Sequence, residues 1–197
     1  MGLVFGFSNL RKLPFNRALR IMIITNGMIL LAGAMLAPIY ALFVQKVGGD
    51  LLDASFAGGT FAFVAGTTVL VSGMYSDALR KKKLVVVLGY LVMGVGFLLY
   101  IWVSSIWFLL AVQVLIGFGE AIYNPAFDAL YSQHLEPGKT STEWGAWEAT
   151  NYYATAVGAV AGGLIVTKFG FTPLFLIMSV LCFSSAAYIH FLPKKTL

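Results

Sequence analysis

An all-α fold of six membrane-spanning helices is what this sequence predicts, and three observations predict it. The 197 residues are 59% hydrophobic and 11% charged, which leaves too little polar surface to cover a water-soluble globule of that size. A spanning helix needs about 20 mostly apolar residues, and six such runs, at 21–44, 54–75, 84–103, 106–130, 144–167 and 172–191, use up most of the chain. Basic residues also segregate: Arg11, Lys12, Arg17, Arg20, Arg80, Lys81, Lys82, Lys83, Lys139, Lys194 and Lys195 occupy one set of loops and termini, Lys46 and Lys168 the alternate set.

By the positive-inside rule this bias puts both termini in the cytoplasm. The chain then divides into a cytoplasmic segment at 1–20, a transmembrane domain at 21–192 and a cytoplasmic tail at 193–197. The expected location is a prokaryotic cytoplasmic (inner) membrane. The amino terminus does not read as a cleavable signal peptide, because Arg11, Lys12, Arg17 and Arg20 interrupt its apolar residues. The net charge of +5 is accounted for by topology, so nucleic acid is not an expected partner; a lipid-binding role for the basic run at 80–83 is the other reading of that stretch.

Taken in order, the first run carries Asn26 deep inside it and Pro38 near its end, in Ala-Pro-Ile-Tyr. The second carries Gly59, Gly66 and Gly73 seven apart, on one face. The third is uniformly apolar. The fourth contains Pro125 and a polar stripe: Gln113, Gly117, Glu120, Asn124 and Asp128 follow at steps of three or four, one side of a helix. The fifth holds Gly158 and Gly162 in a G-x-x-x-G step, with Trp144 and Trp147 placed for an interfacial aromatic belt. Its Glu148 is near enough to the membrane edge to be solvated. The sixth encloses the single cysteine, Cys182, as a packing residue. Small-residue stripes of this kind let helices approach closely, so Gly59, Gly66, Gly158 and Gly162 are candidate helix-interface positions, within one bundle or between two.

Pro38 and Pro125 lie 87 residues apart, and Ser72-Gly73 and Gly162-Gly163 lie 90 apart. This spacing suggests three helices repeated, and an odd number makes the two units inverted. Enzymatic chemistry is not expected. His134 and His190 are not spaced with carboxylates as metal ligands, and no nucleophile stands beside a base. No metal or cofactor is expected, and no phosphate-binding glycine loop is present in the sequence.

The loop after the second run reads Gly73-Met-Tyr-Ser-Asp77-Ala-Leu-Arg-Lys81-Lys82-Lys83, which resembles the G-x-x-x-D-R-x-G-R-K loop signature of the major facilitator superfamily. Ala78 stands where that signature has its first arginine and Arg80 where it has its second glycine. Gln113-Val-Leu-Ile-Gly117-Phe-Gly119 is similar to the family's R-x-x-x-G-x-G, with glutamine for arginine. Gly145, Ala154, Gly158, Ala159, Gly162 and Gly163 fall on the spacing of its antiporter signature, where Ala159 replaces the proline of the drug-efflux branch. The resemblance covers the whole chain but only six of the family's twelve helices. It implies a half-size transporter whose other half is a second copy or another six-helix chain.

The resemblance further implies that the first and fourth helices line a central cavity and that the second helix of one half faces the fifth of the other. Substrate-cavity candidates are then Asn26, Gln113, Glu120, Tyr123, Asn124, Asn151 and Tyr152, with Tyr40 nearer the end of the first run. Gly73, Asp77, Lys81 and Asp128 are the candidate cytoplasmic gate. Glu120 sits about 21 Å along its helix at about 1.5 Å per residue, near mid-bilayer, where a charge costs roughly 2.5–3.5 kcal/mol. In an apolar site the neutral carboxyl is the cheaper form, so the group suits proton exchange or binding of a cationic solute; the other reading is a permanently hydrogen-bonded packing residue. The expected function is secondary transport of a small solute by alternating access, proton-coupled and in the direction of efflux, by a homodimer in the bilayer. A non-transporting membrane partner or assembly subunit, or one half of a split transporter, are the alternatives.

Overall fold

The computed structural model describes residues 16–76 and 81–193. Helices follow in the order α1 (Arg17–Leu36), α2 (Tyr40–Lys46), α3 (Leu51–Ser76), α4 (Lys82–Leu99), α5 (Ile106–Gln133), α6 (Thr140–Phe169) and α7 (Phe171–Phe191). A 3-10 turn at Ala37–Ile39 joins α1 to α2 as one span, Arg17–Lys46, so six stretches are long and apolar enough to cross a membrane. The protein is a multi-pass membrane protein, and its described residues contain no strand.

Local chemistry sets the helix ends, most of which lie at or just outside the limits of the apolar runs. The Asn16 side chain accepts from the Leu19 N–H at 2.9 Å and caps α1, so Arg17 and Arg20 belong to the helix although their charges end the run. At Pro38 the first span loses an N–H donor, and the ladder gives way to the 3-10 turn before α2 resumes. Asp50 and Asp53 start α3 reciprocally, each backbone N–H donating to the other's carboxylate at 2.9 Å. Pro125, by contrast, lies inside α5 without ending it. Between α6 and α7 stands Gly170 alone, at φ 82°, a left-handed conformation that a side chain would strain.

In the bundle, α5 packs on α3 and α4, α1 packs on α6 and α7, and α4 lies against α7. Replacing each span by the one three further along turns the first set of contacts into the second and returns the α4–α7 contact to itself. Consecutive spans alternate in direction, so the units are inverted, a 3+3 repeat. Glycines make the tightest crossings. A Cβ at Gly89 of α4 would come within 2.7 Å of the Gly119 carbonyl oxygen of α5, and one at Gly158 of α6 would meet Ala34 Cβ at 2.8 Å. At Gly162 it would overlap the Met35 backbone carbonyl. Away from these crossings, Phe43 gathers Tyr100, Phe171 and Phe175 around it at centroid distances of 4.9–5.4 Å, and Cys182 is fully buried.

Burial is uneven in a way that matters for function. Only 11% of the most apolar stretch of α3, and 11% of that of α6, is buried, against 50% in α4. Phe56, Phe63, Leu70 and Met74 on α3, and Tyr152, Tyr153, Val160 and Leu164 on α6, are exposed.

Candidate functional site

A break in the first span shapes the cavity of this bundle. Where α1 gives way to the turn, Gly33, Ala37 and Tyr40 leave room, and α5 brings Gln113, Ile116 and Glu120 to the same space. With Gly58 and Phe61 of α3, Met93 and Phe97 of α4, Tyr100 and Met178, they line a cavity of about 290 Å³. Ala37 and Gly58 in its wall are exposed, so it is open rather than sealed. Its lining is largely apolar, with one acidic side chain and no basic one.

A hydrogen-bonded chain crosses one wall. The Tyr100 hydroxyl donates to Gln113 Oε1 at 3.2 Å, and Gln113 Nε2 donates to the Tyr40 hydroxyl. Gln113 is 6% exposed, and an amide left unpaired at that depth would be costly. The chain ties the break in the first span to α5 and to the end of α4. Glu120 follows two turns along α5, half-buried with Asn124 beside it. Its carboxylate is the only formal charge the cavity wall offers.

The remaining predicted cavity residues are distributed differently. Asn26 is 2% exposed, accepts from the Tyr90 hydroxyl at 3.1 Å and joins α1 to α4 without lining the cavity. Tyr123 is buried edge-on against Tyr90 at 4.9 Å between centroids. Asn124 and Asn151 are half-buried, and Tyr152 is exposed on α6. Of the gate residues, Lys81 and Asp128 are exposed and Gly73 is partly so, while Asp77 lies outside the described residues. The one ion pair among the described residues joins Lys139 to Glu136 at 2.6 Å. Of the interface glycines, Gly158 and Gly162 meet α1 of the same chain, whereas a Cβ at Gly59, Gly66 or Gly73 would meet nothing within 4 Å.

Two residues were missed by sequence reasoning. Tyr100 ends an apolar run and looks like an interfacial aromatic, yet it is fully buried and hydrogen-bonded to Gln113. Glu143 is 1% exposed, and its Oε2 accepts from the Glu136 N–H at 2.8 Å. The Tyr131 hydroxyl also donates to its backbone carbonyl at 2.6 Å. Glu143 lies in the first turn of α6, whose N-cap is Lys139, and no spacing in the sequence marks its reach back to Glu136.

Comparison with known proteins places this architecture. A family model described as the Major Facilitator Superfamily matches residues 22–196. An uncharacterized MFS-type transporter of Methanocaldococcus jannaschii is 26% identical over 168 residues, which are 84% of this chain and 42% of that protein. The multidrug resistance protein MdtG of Dickeya zeae is 24% identical over 84% of this chain and 41% of its own length. MdtG of Salmonella typhimurium is 24% identical over 84% and 42%. The chain therefore spans about two fifths of the length of the curated relatives it matches.

Proposed function

Because the chain belongs to the major facilitator superfamily, we propose that it is one six-helix half of a secondary transporter that moves a small amphipathic or cationic solute by alternating access. The observation that carries this reading is the open, mostly apolar cavity whose only formal charge is Glu120. An acidic group in such a wall can hold either a cation or, in its place, a proton. Exchange of solute for proton at one carboxyl is the simplest coupling this lining supports. The multidrug resistance relatives favour export.

A second six-helix unit completes the pathway, and a second copy of this chain supplies it most directly. The exposed apolar face of α3 and the Val160–Leu164 end of that of α6 suit that contact. Gly59 and Gly66, with open space above them, allow close approach of a partner helix; Gly158 and Gly162 do not contribute there, since α1 already occupies their side. Both termini lie in the cytoplasm of a prokaryotic inner membrane, by the distribution of lysine and arginine. Gly73, Lys81 and Asp128, with Asp77, are the candidate gate residues for that surface.

The test is proton-coupled flux in proteoliposomes, with native mass spectrometry of the same preparation. A two-chain mass, uptake of a fluorescent lipophilic cation against a pH gradient, and loss of that uptake in Glu120→Gln are the expected results. Undiminished coupled flux in Glu120→Gln removes the carboxyl from the mechanism. A folded wild-type protein that moves neither solute nor proton favours the reading as a non-transporting membrane partner.

A further inference from the structure

A second concave region lies away from the transport cavity, at the amino-terminal end of the first span. Arg17, Arg20 and Ile24 of α1 and Tyr188 of α7 line a pocket of about 430 Å³ there. Both arginines are exposed, and neither forms an ion pair among the described residues. They stand three positions apart, on one side of the helix. Two adjacent guanidinium groups repel each other unless an anion lies between them, and their planar forks match the oxygens of a phosphate.

The pocket does not stop at the polar end. Ile24 is shared with a neighbouring groove of about 380 Å³, in which Gly27, Met28 and Leu31 of α1 face Tyr153 and Val157 of α6. Ile24, Tyr153 and Val157 are more than half exposed, so the groove is an open apolar channel on the outside of the bundle. From Arg17 to Leu31 it extends about 21 Å along the helix, and one leaflet with its headgroup layer is about 20–22 Å thick. Nine positions separate Ile24 from the cavity-lining Gly33, about two and a half turns. The groove thus faces away from the transport cavity.

We infer that Arg17, Arg20 and Tyr188 bind the phosphodiester headgroup of an anionic phospholipid, whose acyl chain lies in the groove between α1 and α6. Charge complementarity selects the headgroup, since the pocket presents two cations and no carboxylate, and basic pockets between spanning helices are suited to such lipids. Tyr188, exposed and in the pocket wall, adds a hydroxyl that can donate to the same headgroup. Neutral lipids can fill the groove but gain nothing from the guanidinium groups.

The experiment is native mass spectrometry of delipidated protein titrated with phosphatidylglycerol or with phosphatidylcholine of the same acyl chains. Wild-type protein is expected to retain phosphatidylglycerol selectively, and Arg17→Gln/Arg20→Gln to bind it about thirtyfold more weakly, at the level of phosphatidylcholine. Each single substitution, at an exposed helix position, is expected to lose part of that preference, and so tests the arginines separately even if the double variant does not fold. Ile24→Gln should weaken both lipids alike. Equal retention of the two lipids by wild-type protein, or unchanged selectivity in the arginine variants, overturns the inference. Displacement of phosphatidylglycerol by equimolar sn-glycerol 3-phosphate also overturns it, since that result marks a site for a soluble anion.

Discussion

Substituting Gly162 by alanine is the sharpest test of how α6 is held. The added Cβ overlaps the carbonyl oxygen of Met35, which belongs to a helix backbone and has no flexible end to swing aside. The helices must part, and contacts along the whole α1–α6 seam loosen with them. Overpacking of this kind costs about 1–3 kcal/mol, and rigid backbone on the far side puts Gly162→Ala near the top of that range. Better helix propensity returns about 1 kcal/mol, for a net loss of about 2 kcal/mol. By the scaling for soluble chains of this size, Tm falls by about 4–8 °C.

Gly163→Ala is the control. It makes the same chemical change one position along, where a Cβ meets nothing within 4 Å. It should leave Tm unchanged or raise it. The assay is built into the protein, because the sole cysteine, Cys182, is fully buried. A thiol-reactive fluorophore therefore reports unfolding in detergent directly. Equal effects at the two positions, or a silent Gly162→Ala, would refute the claim that α6 is fastened to α1 by backbone contact at this glycine. Gly158→Ala, with Ala34 Cβ at 2.8 Å, should fall between them.

Other perturbations follow from the buried polar contacts. Gln113→Leu strands the hydroxyls of Tyr40 and Tyr100 and should cost about 1–3 kcal/mol per buried group left unpaired; Gln113→Glu, which keeps an acceptor for Tyr100, should cost less in a thermal unfolding assay at acidic pH. Tyr90→Phe leaves the Asn26 amide oxygen without its donor and should cost about 1–2 kcal/mol, with solute affinity unchanged because neither residue lines the cavity. Glu143→Gln keeps an acceptor for the Glu136 N–H and should unfold near the wild-type temperature. Glu143→Ala should unfold earlier, by the cost of an unsatisfied buried donor, about 1–3 kcal/mol.

The spans were legible because a bilayer enforces a minimum apolar length, and no other feature of this sequence produces six such runs. Their ends were less so: Arg17 and Arg20 are helical because Asn16 caps the turn ahead of them, a contact that hydropathy does not register. Glu120 and Gln113 stood out as polar groups inside an apolar run, and both line the cavity. Asn26 stood out for the same reason and does not, since depth along a helix says nothing about which neighbour its side chain meets. The glycine step at Gly158 and Gly162 announced a close helix crossing, but its partner, α1 of the same chain, depends on how six helices surround one another. Tyr100 was invisible because its role comes from Gln113 on a different helix.

The interruption at Ala37–Ile39 gives the first span an elbow. The upper arm, α1, is clamped to α6 along its length, while the forearm, α2, is seven residues, about 10 Å. Bending the elbow by about 10° swings the tip of that forearm by about 2 Å, enough to change what Phe43 and Lys46 touch. Because Tyr40 sits at the joint and is leashed to Gln113, the angle of the elbow and the place of that amide on α5 are set together, by one hydrogen bond in the middle of the protein.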